Sequence, residues 1–153
     1  MIEHNTIPKS EWGPGPWQEE TDRLEWEYKG FPCLMVRDMH VTGAWCGYVA
    51  LPPDHPQFEK DSDKVDVDVH GGLIYSDHCQ GDICHEPKPG EPDNVWWVGF
   101  DCANGFDFSP MMEATMKMVL GKPSQFMNSF QTYRDVEYVK KEVEDLADQL
   151  YES

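Results

Sequence analysis

The sequence predicts an α+β domain in which a twisted antiparallel sheet carries two C-terminal helices packed on one face. Three observations predict it: strand-type patterning runs through the first two thirds of the chain, helix-type patterning is confined to the end, and no unit of sequence repeats. Strands gathered first and helices last are the order of an α+β architecture. At 153 residues, 39% hydrophobic and 12% aromatic, the chain is long enough for one core and too short for two. Residues 1–153 are therefore expected to form a single globular domain, with 1–11 as an arm.

The elements follow in order. W-G-P-G-P-W at 12–17 is stiffened by Pro14 and Pro16 and is expected to run extended, laying Trp12 and Trp17 on the core. L-E-W-E-Y-K at 24–29 alternates strictly and predicts a half-buried strand. Gly30 and Pro32 break it before a second apolar run at 33–36, and Gly43 precedes a third at 44–51, so a three-stranded meander is expected. Prolines and charge make 52–64 a surface loop. V-D-V-D-V-H at 65–70 alternates again, with Val65, Val67 and Val69 able to share one face and Asp66, Asp68 and His70 the other, and the strand is expected to continue past Gly71 and Gly72 to Tyr75. The paired glycines suggest a bulge or a close approach of other backbone. After a second loop at 85–93, V-W-W-V-G-F-D-C at 95–102 predicts a central strand covered on both faces. Ser109-Pro110 opens a Met-rich helix that Gly121 and Pro123 stop, its methionines filling core. T-Y-R-D at 132–135 predicts the cap of a second helix, whose Val136, Val139, Val143, Leu146 and Leu150 recur at helical spacing, with Glu137 and Lys141 paired on the outer side.

Twelve basic residues against 29 acidic ones leave a net charge of -17. Contact with phosphate backbones or anionic lipid works through Lys and Arg, so direct nucleic-acid and membrane binding are disfavoured. The same excess suits a protein that occupies a basic groove on a nucleic-acid-handling partner, copying the charge of DNA. No segment approaches the ~18 apolar residues that span a bilayer, and the N-terminus has no signal pattern, so a cytoplasmic protein is expected. In that compartment five cysteines are expected to be thiols or metal ligands ahead of disulfides.

Two constellations carry candidate chemistry. H-C-Q-G-D-I-C-H at 78–85 offers Cys79, Cys84 and His85 to a zinc ion, with Cys102, His70 or a neighbouring histidine completing a tetrahedron. The second joins His70, Gly71, Gly72 and Tyr75 to Trp97 and Asp101 as the parts of a polar pocket, with Cys102 as a candidate nucleophile beside His70. No catalytic motif is satisfied: G-x-S-x-G, the Walker loop, H-E-x-x-H and G-x-G-x-x-G are all missing.

W-G-P-G-P-W, G-Y-V-A-L-P followed by H-P, V-H-G-G-L-I-Y-S, W-W-V-G-F-D-C-A and the closing Y-R-D-V-E-Y-V-K-K-E-V-E-D-L-A-D-Q-L resemble a family of small proteins encoded by bacteriophages and prophages. The resemblance covers roughly residues 12–150. It implies a phage-gene origin and expression in the host cytoplasm, and it brings no activity with it. Family members tend to have histidine after F-D-C-A, where this chain has Asn104, and an amide neither titrates nor binds zinc well.

The function expected from all of this is binding, in the service of countering host defence. A concave site around His70, Gly71, Gly72, Tyr75, Trp97 and Asp101 would hold a small polar ligand or a segment of a host protein. One alternative is an acidic inhibitor that presents Asp61, Asp63, Asp66 and Asp68 to a basic groove. Another is a hydrolase using Cys102 or a zinc-bound water.

Overall fold

The computed structural model describes residues 2–4, 9–121 and 131–153. Pro123, expected to help stop the first helix, lies outside them, as do residues 1 and 5–8 of the expected arm. The architecture is α+β: among the described residues there are six antiparallel strands, β1 (Ile2–His4), β2 (Arg23–Tyr28), β3 (Phe31–Arg37), β4 (Trp45–Leu51), β5 (Tyr75–Asp77) and β6 (Trp96–Asp101), with helices α1 (Pro110–Leu120) and α2 (Val136–Tyr151). Across the sheet the order is β1-β2-β3-β4-β6-β5.

The expected meander is β2-β3-β4. Lys29 and Gly30 both take positive φ, 55° and 82°, in a two-residue turn that sets Tyr28 opposite Phe31. Such a turn matches the natural twist of the strands it joins. From that register Leu24, Cys33, Met35, Val49, Trp96, Val98 and Phe100 share the inner face and pack against Val139, Val143, Leu146, Ala147 and Leu150 of α2. Gly47 makes this packing close, because a Cβ there would stand 2.6 Å from the Val143 methyl. The outer face carries a smaller core of Leu34, Tyr48, Ala50, Val95 and Trp97, covered by Ile83 from the 78–95 excursion. The β6 strand is thus covered on both sides, as its apolar run predicts.

The two helices differ in what they bury. α2 closes the inner face, whereas α1 lies against the short 3-10 turn Ser10–Trp12. Its methionines do not fill a core: Met118 is 77% exposed, and Pro110 and Glu113 are the buried members of α1. Gly121 ends α1 in the left-handed conformation, its N–H on the Lys117 carbonyl. The cap of α2 is Asp135, whose carboxylate accepts from the Tyr138 N–H at 2.9 Å. Thr132 instead pairs its backbone with the segment around Asp107, and Lys141 pairs forward with Asp145 at 3.3 Å.

Two further expectations are corrected. W-G-P-G-P-W is not extended: it folds into 3-10 turns at Ser10–Trp12 and Pro16–Glu19, burying Trp17 and leaving Trp12 half-buried. Residues 65–74 form no strand of the sheet, in which only Tyr75–Asp77 pairs. The alternation is real, since Val65 and Val69 are buried and Asp66 and Asp68 exposed. Alternation reports one buried face and not a ladder partner. The backbone groups of this strap bond to side chains of α2 instead: the Gln149 amide accepts from the Asp68 N–H and donates to the Asp68 carbonyl, both at 2.7 Å.

Candidate functional site

His70 ends the strap and is buried between two partners that are distant in sequence. Its Nε2 lies 2.9 Å from Asp107 Oδ2 and its Nδ1 2.8 Å from the Tyr138 hydroxyl. An ionised carboxylate only accepts, so Nε2 carries a proton, and in the neutral ring Nδ1 accepts from the phenol. Asp107 also receives Arg134 Nε at 2.8 Å and the Asn104 N–H at 3.0 Å. Burial alone would raise the Asp107 carboxyl, but the hydrogen bonds from His70, Arg134 and Asn104 outweigh it and hold the group below the ordinary carboxylate value. The His70 backbone N–H donates to Glu142 Oε1 at 2.9 Å. These bonds hold the strap against α2 and the 104–107 turn.

The six residues of the expected pocket divide between the two faces of the sheet. Gly71 does reach the end of β6: it takes φ 69°, and a Cβ there would stand 2.4 Å from Asn104 Nδ2, which in turn donates to the Asp101 carbonyl at 3.4 Å. The side chains diverge from that meeting point. His70 turns to the α2 side, while Trp97 and Tyr75 pack in the outer core. Asp101 opens onto an outer recess of about 410 Å³ shared with Cys46 and Tyr48. Gly72 also takes a positive φ, 81°, in open space, where it completes the turn after His70. The period of two in β6 separates Trp97 and Asp101 from Cys102, which faces inward with Phe100.

The cysteines behave differently from expectation. Cys79 and Cys84 are joined by a disulfide, so neither presents a thiolate to zinc in this structure. Cys102 lies on the opposite face from His85, and among the described residues no group of three or more His, Cys, Asp or Glu is placed to hold a metal ion. Cys102 is 1% exposed, and burial pushes its thiol well above the ordinary value, as it pushes Cys33 and Cys46 to about 12. Burial thus disfavours the thiolate, the form in which a cysteine attacks. None of the described helices is long and apolar enough to cross a membrane.

What the strap and α2 do create is a groove. It encloses about 610 Å³ beside His70 and Gly71 and is lined by the carboxylates of Asp68, Glu142, Asp145 and Asp148. Asp66 on the strap and Asp61 and Asp63 in the turn before it are exposed. Helical spacing places Glu142, Asp145 and Gln149 on one side of α2, a signal available in the sequence once the strap is known to lie there.

A second polar cluster has no signature along the sequence. Arg37, with no side-chain exposure, donates to Asp22 at 2.9 Å, to Glu20 at 3.1 Å and to the Gly43 carbonyl at 2.8 Å. Lys9 joins Asp22 at 2.8 Å, the Tyr133 hydroxyl donates to Glu20, and Glu20 Oε2 accepts the Val136 N–H at 2.8 Å. The Arg37 guanidinium lies over the Trp45 ring at 4.5 Å. This network locks the 9–22 segment to β3 and to the start of α2, and its closed geometry makes it structural. No family model matches the chain, and comparison with curated proteins and with solved structures gives no match.

Proposed function

We propose that this protein is a binding protein whose carboxylate-lined groove takes a basic segment of a partner protein. The observation that carries the reading is the groove itself, in which Asp68 of the strap faces Glu142, Asp145 and Asp148 of α2. In a chain of net charge -17 such a groove attracts Lys and Arg side chains over a distance and repels nucleic acid and acidic surfaces. Of the two occupants expected from sequence, a small polar ligand and a host protein segment, the open acidic groove favours the segment. Given the phage-type resemblance, the partner is a host protein whose basic surface handles nucleic acid, and occupying that surface is how host defence would be countered.

Calorimetric titration with a hexa-arginine peptide tests this reading. Binding is expected at low salt and weakens by about tenfold or more as added salt shortens the Debye length to below the width of the groove. The paired change Asp68→Asn with Asp145→Asn should abolish most of the affinity, while Glu86→Gln with Glu91→Gln, on the outer face, should leave most of it. Salt-insensitive binding, or equal losses from both pairs, overturns the proposal.

A further inference from the structure

The loop from Cys79 to Cys84 carries the second site. We propose that the Cys79–Cys84 disulfide is a thiol–disulfide exchange centre that takes two electrons from thiols bearing a neighbouring positive charge.

The disulfide is not what holds its loop. Its sulfurs are separated by 5 positions in the chain, and so short a closure removes little chain entropy compared with a long one. The turn has its own bonds: Gln80 and Ile83 exchange both backbone hydrogen bonds, at 3.1 and 2.9 Å. Arg23 on β2 donates to the Asp82 carbonyl at 2.6 Å and to the Cys84 carbonyl at 2.8 Å. With the loop anchored this way, the reduced form keeps the shape of the oxidised one, and oxidation state is uncoupled from unfolding.

Access and charge then decide the chemistry. Cys79 is exposed, whereas Cys84 is half-buried and lines a recess of about 550 Å³ with Arg23, Glu25, Asp82, His85 and Glu86. An incoming thiolate attacks the open sulfur, Cys79, forming a mixed disulfide and releasing Cys84 as thiolate. The Arg23 guanidinium, which pairs with Glu25 at 3.3 Å and donates to the Cys84 carbonyl, lines the same recess as that leaving group. A second thiolate attacks the substrate sulfur of the mixed disulfide and releases Cys79. Two thiols are oxidised to one disulfide, the protein disulfide is reduced, and the two protons the thiols gave up end on Cys79 and Cys84. The protons reach the sulfurs from solvent at the exposed Cys79 and at the open recess beside Cys84. The carboxylates of Glu25, Asp82 and Glu86 around the recess disfavour anionic thiols and favour cationic ones.

The test follows reduction of the native protein by cysteamine and by 3-mercaptopropionate, with rate constants compared per thiolate. Cysteamine is expected to react about tenfold faster at low salt, the gap narrowing as salt is added. Cys84→Ser exposed to cystamine should hold a stable adduct on Cys79, seen by mass spectrometry, and Cys79→Ser with Cys84→Ser should keep the fold and its melting temperature within a few degrees. Reduction only after denaturation, collapse of the melting temperature in the double variant, or equal rates for the two thiols would overturn the proposal. None of these outcomes depends on whether the acidic groove binds a partner.

Discussion

Arg37 and His70 show how differently two buried polar side chains can be placed. Arg37 balances Glu20 and Asp22 with Lys9 contributing the second positive charge, so the cluster is neutral as a unit. Removing one member leaves carboxylates buried without their partner, and Arg37→Ala should lower the unfolding free energy by about 3–5 kcal/mol in a denaturant titration. A loss under about 1 kcal/mol would mean that water reaches the cluster. Neither residue's role is legible along the chain: Arg37 meets Tyr133 across 96 positions, and His70 meets Asp107 across 37 and Tyr138 across 68. The exposure of Asp66 and Asp68, by contrast, follows from alternation alone.

Among elements, the strap is the one whose register depends on another element. A strand inside a sheet has its backbone hydrogen bonds supplied by neighbours on either side, but the strap depends on Gln149 and Glu142 of α2 at Asp68 and His70. Gln149→Ala should therefore speed amide exchange at Asp68 while leaving exchange in β4 and β6 unchanged, because local opening of a segment does not require global unfolding. Equal acceleration in the sheet strands would show that the strap and the core open together. The meander, both helices and β6 are legible from local signals: alternation in β2, apolar runs in β3, β4 and β6, end signals at Ser109-Pro110 and Gly121 in α1, and helical spacing in α2. The strap reads as a sheet strand, and is not one, because period two marks an extended chain with one dry face, and that condition is met equally on the flank of a helix.

For the whole molecule the strongest influence outside the core is self-repulsion. A net charge of -17 on one domain opposes compaction, and salt screens it. The melting temperature should rise with added sodium chloride over the range in which binding of a basic peptide falls. A melting temperature that drops with salt would show that specific ion pairs such as Lys29–Asp148, 3.5 Å apart, outweigh the general repulsion. Opposite salt responses of fold and binding are the signature of a surface whose charge is kept at some expense to stability.

Composition and periodicity by themselves determined the α+β class, the three-stranded meander, the doubly covered β6 strand and a net charge of -17, since each depends on local pattern or on a sum over residues. The tertiary structure alone decided that Trp97 and Asp101 turn away from His70, that Cys79 is bonded to Cys84, and that the strap and α2 enclose an acidic groove. Those outcomes depend on which face of the sheet α2 covers and on how separate segments meet in space, and no local period encodes either.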